Sequence, residues 1–268
     1  MKKIISVVLA AVLLVSALCL SACNSSSSKT IVVGASSTPH AEILEQCRAA
    51  LKEKGYELEI KVYDDYVLPN TATEDGDLDA NYFQHVPYLN DFNANNGTHL
   101  VSVAAVHYEP FGLYAGTSSS LTDLPAGAKI AIPNDGSNEA RALFLLEACG
   151  LIKLKEGTGF TATKKDIADD NGYEIVEMVA AVIPSCLDSV NLAVINGNYA
   201  IQAGLKIADA LAVEDKNSES AQTYANVLVV KQGNENNEGI KALVEVLQSE
   251  AISKFINEKY AGAVVPIS

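Results

Sequence analysis

The sequence predicts an α/β fold organised as two lobes, each built on a mainly parallel sheet. Strand and helix patterns alternate along most of the chain, and the first strand, helix and strand follow one another within residues 30–63. Such a βαβ unit implies parallel strands, because the helix returns the chain to the same edge of the sheet. Of the 268 residues, 49% are apolar. About 240 residues remain beyond an N-terminal export segment, enough for one large domain or two small lobes.

Hydrophobic periodicity defines this first unit. Residues 30–35 (Thr-Ile-Val-Val-Gly-Ala) form a short apolar run that predicts a buried strand. Residues 56–63 alternate between apolar and polar side chains, which predicts a second strand. Between them, a helix is predicted at 40–54 and ends at Gly55. Its apolar face consists of Ile43, Leu44, Cys47 and Leu51.

The alternation continues to the C-terminus. Residues 137–148 are predicted to be helical, with Ser137 as the N-cap and Gly150 just beyond the end. One long helix is predicted at 239–260, where apolar residues recur at helical spacing. Further strands are predicted at 99–106, 129–132, 192–195 and 226–230. The sequence contains no repeat of solenoid length.

The N-terminus has the pattern of an export signal. Two lysines precede an uncharged apolar run at residues 4–20, which is shorter than the about 20 apolar residues that a membrane span needs. Leu-Ser-Ala-Cys at positions 20–23 resembles the lipobox of bacterial lipoproteins. We therefore predict a signal peptide at 1–22, lipidation of Cys23 and a serine-rich tether at 23–29. An ordinary signal that happens to precede a cysteine is the alternative.

Charge and cysteine content exclude several classes of protein. The formal net charge is −14, or −16 once Lys2 and Lys3 are removed with the signal, and an acidic surface disfavours nucleic acid. Three cysteines follow Cys23, widely spaced and without a C-x-x-C pair, so at least one is unpaired in the monomer. The chain is therefore neither a nucleic-acid-binding protein nor a disulfide scaffold.

Enzyme motifs are incomplete throughout. His107-Tyr108-Glu109 matches the first half of a zinc-deaminase signature, but no P-C-x-x-C follows. Asp75, Asp77 and Asp79 have the initial spacing of a calcium loop that lacks its glycine and its final glutamate. Neither G-x-S-x-G nor a phosphate-binding G-x-x-x-x-G-K occurs. We therefore expect no catalytic residues, no metal and no cofactor.

Three patterns favour ligand binding instead. Aromatic and amphipathic residues gather at 82–88, and their polar neighbours predict a loop, where such groups serve as a ligand surface. Arg141 is predicted to lie in the first turn of a helix, whose free N–H groups and partial positive charge suit an anion such as a carboxylate. Asn196-Gly197-Asn198-Tyr199 directly follows a strand, where ligands collect in open α/β sheets.

These residues carry a resemblance to the NlpA-type family of methionine-binding lipoproteins, the extracellular receptors of methionine ABC importers. It covers nearly all of the chain from Thr30 onwards. The matching runs are Asp79–Leu89, Ile132–Asp135 with Asn138 and Arg141–Leu143, Ala193–Ala200, Tyr224–Val227 and Tyr260–Ala263. The chain departs from the family pattern at 179–190 and at Gly136-Ser137, which affects selectivity for the ligand side chain.

The resemblance implies a bilobed periplasmic-binding-protein-like fold of type II with two hinge crossovers. The first lobe is expected at 30–108 plus 226–268, and the second at 109–225. Arg141 would hold the ligand carboxylate. The remaining polar ligand contacts are expected from Glu109, Asn138, Asn196, Asn198 and Asn226. The pocket for the thioether side chain is expected to be walled by Tyr66, Phe83, His85 and Tyr88.

The expected function is capture of methionine, or a close analogue, for delivery to an ABC permease and its ATPase. The chain would be a monomer held by its lipid anchor on the outer face of the bacterial cytoplasmic membrane. A receptor of the same fold for another amino acid or a methionine-containing dipeptide is one alternative. A structural or adhesive surface lipoprotein is another.

Overall fold

The structure, a computed structural model, describes residues 29–215 and 223–267. The predicted signal peptide, Cys23 and the tether up to residue 28 lie outside these residues. Within the described ranges, no helix has the length and apolar character to cross a membrane. Cys47, Cys149 and Cys186 all lie in these ranges and are unpaired.

The first lobe is built on a six-stranded sheet with strand order β13-β4-β12-β3-β1-β2. Strands β1, β2 and β3 run parallel, whereas β12 is antiparallel to β3 and β4. The strands are β1 (Lys29–Ser36), β2 (Tyr56–Tyr63), β3 (Ala80–His85), β4 (Leu100–Tyr108), β12 (Ala225–Lys231) and β13 (Val265–Pro266).

The second lobe is built on a five-stranded sheet with strand order β11-β5-β10-β6-β9. Strands β10, β6 and β9 run parallel, and β5 is antiparallel to β10. The strands are β5 (Gly112–Ala115), β6 (Lys129–Pro133), β9 (Glu174–Met178), β10 (Leu192–Ile195) and β11 (Ala212–Val213); β7 (Lys153–Leu154) and β8 (Ile167–Asp169) form a separate hairpin.

Helices cover both sheets. The described α-helices are α1 (Glu42–Glu53), α2 (Leu68–Asp75), α3 (Val86–Asn96), α4 (Gly136–Ala148), α5 (Gly197–Gln202), α6 (Glu238–Leu247) and α7 (Glu250–Tyr260). The predicted face of α1 is fully buried in the first core. Apolar residues of α4 pack with β6 and β10 in the second core. The alternating pattern in the sequence therefore produces two separate hydrophobic cores.

Two details of the predicted helices are wrong. The segment expected as one helix at 239–260 is broken after Leu247, because Ser249 adopts extended backbone and its side chain caps α7 at Ile252 N (3.4 Å). In α4, Asp135 rather than Ser137 is the N-cap, and its carboxylate accepts from the backbone N–H of Asn138 (3.0 Å). Ser137 lies inside the first turn instead, and its hydroxyl donates to Asp135 Oδ1 (3.1 Å).

The chain passes between the lobes twice. The first passage connects β4 to β5 at residues 109–111, and the second leads from β11 to β12, with residues 214, 215, 223 and 224 described. Helix α4 follows the carboxyl end of β6 within a few residues, and α5 follows that of β10. Polar residues at these helix starts therefore face the space between the two sheets.

Candidate functional site

A cavity between the lobes brings all ten ligand-contacting residues predicted from the sequence together. They are Tyr66, Phe83, His85, Tyr88, Glu109, Asn138, Arg141, Asn196, Asn198 and Asn226, and Gln84, Phe111 and Gly197 also line the cavity. About 330 Å³ among these residues is free of protein atoms, counting the part that is open to solvent.

One wall of the cavity is aromatic. The ring of Tyr66 lies 5.6 Å from that of Phe83, 5.6 Å from that of Tyr88 and 5.0 Å from that of Tyr199, measured between centroids. Such edge and tilted arrangements are the favoured aromatic geometries. The wall carries no formal charge, so it suits an uncharged, mainly apolar ligand group.

The prediction of a loop at 82–88 is wrong, because these residues form the end of β3 and the start of α3. All six residues of β3 are buried. The polar neighbours that indicated a loop are paired internally instead: the side chains of Asn70, Asn81 and Gln84 hydrogen-bond one another at 2.5–3.0 Å. Buried amides that satisfy one another remain compatible with a core strand.

Arg141 lies in the second turn of α4 rather than the first, and its side chain is only 4% exposed. Its guanidinium contacts two aromatic rings, with Cζ 4.1 Å from the centroid of Phe111 and 4.4 Å from that of Tyr224. Nη2 donates to the carbonyl oxygen of Glu109 (2.8 Å) and to Glu214 Oε2 (2.5 Å). Burial alone would lower the pKa of Arg141, but Glu214 raises it, so the group is a permanent cation.

The helix start itself contributes less to anion binding than the sequence predicts. Asp135 already occupies the backbone donor of Asn138 and also accepts from its Nδ2 (2.8 Å). Burial raises the pKa of Asp135, and these hydrogen bonds oppose that shift. The positive charge available to an anion in this cavity is therefore that of Arg141.

Glu109 is the centre of a buried cluster below the cavity. Its Oε1 lies 2.7 Å from His107 Nε2 and 3.3 Å from His40 Nε2. Burial lowers the pKa of His40 to about 4 and that of His107 to about 3, so both rings are neutral at pH 7. Burial raises the pKa of Glu109. A carboxylate with an imidazole N–H donor on one oxygen is suited to receive an ammonium group on its other side.

The three ligand atoms of this cluster lie within 4.8 Å of one another, close enough to share a metal ion. Hydrogen bonding already accounts for their proximity, since His107 Nε2 donates to Glu109 Oε1 and His40 Nε2 donates to Asn226 Oδ1 beside it. His107 Nδ1 is also engaged by the hydroxyl of Tyr82. The cluster is therefore explained as a hydrogen-bonded support for Glu109.

The asparagines supply neutral donors and acceptors around the cavity. Asn196 Nδ2 donates to Asn138 Oδ1 (3.1 Å), and Asn226 Oδ1 lies 3.0 Å from His40 Nε2. Among the buried polar atoms that the structure describes, Asn196 Oδ1 and Asn198 Nδ2 have no hydrogen-bond partner. Buried polar atoms without partners are costly, which favours a ligand that supplies one donor and one acceptor here.

Several hydrogen bonds join the lobes around the cavity, including one between His85 Nε2 and Asn138 Oδ1 (3.2 Å). The hydroxyl of Tyr66, from the first lobe, donates to Asn198 Oδ1 in the second (2.6 Å). The hydroxyl of Tyr199, from the second lobe, donates to the carbonyl oxygen of Asp64 in the first (3.2 Å). The described arrangement is therefore a closed one.

The sequence analysis did not identify several residues around the site. Gly197 stood in a quoted motif without a role, although a Cβ there would lie 2.8 Å from Cβ and Oε2 of Glu109, so only glycine fits. Phe111, Glu214 and Tyr224 surround Arg141. Glu214 is 73 residues from Arg141 along the chain, so no local pattern could have revealed the pair.

Comparison with known proteins places the chain in a family. The sequence matches the NlpA lipoprotein family over residues 31–268. It is 43% identical over 279 residues to the methionine-binding lipoprotein MetQ of Bacillus subtilis, covering 100% of both chains.

Solved structures agree with this fold. A lipoprotein of Ruminococcus gnavus is 53% identical, with a TM-score of 0.88 over 90% of this chain and 100% of that one. A nutrient-binding protein of Burkholderia cenocepacia, solved bound to methionine, is 40% identical, with a TM-score of 0.84 over 89% of this chain and 100% of that one. The predicted family and bilobed fold are thereby confirmed. The chain belongs to the NlpA lipoprotein family.

Proposed function

We propose that the protein is an extracytoplasmic, lipid-anchored receptor that captures methionine or a close analogue for an ABC importer. The observation that carries this proposal is one cavity lined by a buried arginine, a buried carboxylate, two unpartnered amide atoms and uncharged aromatic rings. A free amino acid with an apolar side chain complements that arrangement group by group. The named methionine-binding relatives support the same ligand.

Each end of the ligand has a matching group in the cavity. The ligand carboxylate binds Arg141 and the unpartnered Nδ2 of Asn198. Its ammonium binds Glu109 and the unpartnered Oδ1 of Asn196. The side chain packs against the aromatic wall formed by Tyr66, Phe83 and Tyr88.

Rough energies show why the charged end matters. Burial of a methionine side chain contributes about 1.5–3 kcal/mol, and sulfur–aromatic contact adds about 0.3–1.5 kcal/mol. A dissociation constant of about 1 μM requires about 8 kcal/mol. Roughly half or more must therefore come from the ammonium and carboxylate contacts.

The remaining parts of the proposal concern organisation and location. We place the first lobe at 30–108 plus 226–268 and the second at 109–225, with ligand-dependent closure between them. The closed form would be what the permease and its ATPase recognise. Cys23 would carry the lipid, and the receptor would act as a monomer on the outer face of the cytoplasmic membrane, without catalysis.

The competing ligands are another amino acid and a methionine-containing dipeptide. The melting-temperature screen below, which includes Gly-Met and the other amino acids, decides between these ligands and methionine. A structural or adhesive lipoprotein has no need of a buried arginine facing unpartnered amides.

A melting-temperature screen tests the proposal. The protein without residues 1–23 is unfolded and refolded to remove bound ligand, then heated with each of the twenty amino acids, methionine analogues and Gly-Met. A shift of several degrees confined to methionine-like compounds is expected, because a ligand that binds only the native state stabilises it. A larger shift with an unrelated amino acid or with Gly-Met would contradict the assignment.

A further inference from the structure

The carboxylate of Glu214 contacts four groups at the boundary between the lobes. Oε1 and Oε2 accept from Arg141 Nε (3.2 and 3.0 Å), and Oε2 also accepts from Arg141 Nη2 (2.5 Å). The hydroxyl of Tyr108 donates to Oε2 (2.5 Å), and so does the backbone N–H of Phe111 (3.3 Å). The side chain of Glu214 is only 12% exposed. Burial raises its pKa, but Arg141 lowers it below the usual value, so it is ionised at neutral pH.

These contacts fix the orientation of the guanidinium. Glu214 and the carbonyl oxygen of Glu109 together engage Nε and Nη2 of Arg141. Nη1 is the nitrogen that these bonds leave for another acceptor. A bidentate carboxylate holds a guanidinium in one plane, and Arg141 Cζ also lies over the rings of Phe111 and Tyr224, 4.1 and 4.4 Å from their centroids.

The groups around Arg141 come from both passages between the lobes. Tyr108 ends β4 and Phe111 lies just before β5, on the first passage. Glu214 follows β11 and Tyr224 precedes β12, on the second. The Glu214 carboxylate therefore links both passages to Arg141, the residue proposed to bind the carboxylate of the ligand.

We propose that Glu214 is a positioning residue that orients Arg141 for the ligand carboxylate and ties it to both interlobe passages. The inference rests on the proposed function, because it assigns Arg141 to that carboxylate. It predicts that Glu214 determines how strongly the receptor prefers a free carboxylate over an uncharged end group. Glu214 need not touch the ligand, since the cavity lining does not include it.

The test compares L-methionine with L-methioninamide, which lacks the negative charge, by titration calorimetry. The wild-type protein is expected to bind methionine at least tenfold more tightly than the amide. In Glu214→Gln, one oxygen becomes an NH₂ group that faces the donors of Arg141, so the guanidinium is misplaced. We expect methionine affinity to fall at least tenfold, while amide affinity changes by less than threefold, so the preference collapses.

Glu245→Gln is the matched control, because Glu245 is exposed and pairs with Lys54 on the surface. It should leave both affinities unchanged. If Glu214→Gln does not fold, Tyr108→Phe is the second test of the role of Glu214. It removes one hydrogen bond to the Glu214 carboxylate and keeps the negative charge of that carboxylate. A several-fold smaller preference in Tyr108→Phe then supports the proposal, and an unchanged preference overturns it.

The outcomes separate this inference from the proposed function. If wild-type protein does not bind methionine, the proposed function fails, whatever the variants do. If wild-type protein binds methionine with the expected preference and folded Glu214→Gln keeps that preference, the role of Glu214 is refuted while the receptor function stands. A purely structural role would lower stability and both affinities together, which would also refute it.

Discussion

Replacing Tyr66 by phenylalanine tests whether the contacts between the lobes contribute to ligand affinity. The substitution keeps the ring and its packing against Phe83, Tyr88 and Tyr199, and removes only the hydroxyl that donates to Asn198 Oδ1 at 2.6 Å. Asn198 would then have both of its amide atoms unpartnered, since Nδ2 already has no partner among the described residues. Under the proposed ligand-dependent closure, the change therefore acts on one bond that exists only while the lobes are closed.

The expected magnitude follows from this geometry. Leaving one buried acceptor unsatisfied costs about 1–3 kcal/mol. Because about 1.4 kcal/mol corresponds to a tenfold change in affinity, the dissociation constant for methionine should rise roughly 5- to 150-fold. The free energy of unfolding without ligand should change by less than about 0.5 kcal/mol, because a bond absent from the open form cannot stabilise it.

The assay combines titration calorimetry with urea unfolding of the ligand-free protein. Tyr63→Phe is the control, since Tyr63 ends β2 and is not part of the cavity lining. An unchanged dissociation constant would refute the contribution of the interlobe bond. A loss of stability above about 1 kcal/mol without ligand would show instead that the bond persists without ligand, which would refute closure on binding.

Three further predictions follow from the same structure. Arg141→Ala should abolish detectable methionine binding in calorimetry, whereas Arg48→Ala at the exposed pair with Glu45 should not change it; retained micromolar affinity in Arg141→Ala would exclude this carboxylate site. Burial lowers the pKa of His85 to about 3. Below pH 6.5 this histidine is therefore protonated in the unfolded chain but stays neutral in the native state, so the free energy of unfolding decreases as the pH falls. Between pH 6 and 4, the urea-derived stability of wild-type protein should therefore fall more steeply than that of His85→Gln, by about 1.4 kcal/mol per pH unit; equal slopes would contradict this. Asn237→Ala should lower stability by about 1 kcal/mol, because Asn237 caps α6, and a change in methionine affinity as well would contradict its purely local role.

Much of the fold could be predicted because burial imposes simple periods on the sequence. The strands expected at 56–63 and 192–195 have these bounds in the structure, and the helix expected at 137–148 differs by one residue. In each, one face or both faces are apolar and glycine or a polar capping residue marks the end. Such local signals survive folding because packing and propensity favour the same structure.

The gathering of distant residues into one cavity also has a physical basis. Arg141 and Asn196 both follow the carboxyl ends of parallel strands of the second sheet, and these ends meet at the same edge. Their proximity is therefore a consequence of the topology that the βαβ pattern predicts. Hydrophobic periodicity cannot show which group of the ligand each residue contacts. Most of those assignments came from the family resemblance.

The errors arose where a local pattern permits two structures. Apolar residues recur at helical spacing on both sides of the polar pair Gln248-Ser249. Periodicity alone therefore could not show that Ser249 caps a new helix there. Amides beside Phe83 indicate a loop when exposed, but here they pair with one another inside the protein. Glu214 could not be predicted as part of the site, because its pairing with Arg141 depends on contacts across the fold rather than on its neighbours in sequence.

The central claim is that this cavity binds one free methionine, and titration of L-methionine into the refolded, ligand-free protein without residues 1–23 tests it most directly. We expect one binding site per chain with a dissociation constant of about 1 μM or tighter, and no heat above dilution from L-lysine or L-glutamate, whose charged side chains cannot be accommodated by the aromatic wall. Absence of heat from methionine, or comparable binding of the charged amino acids, would contradict the account.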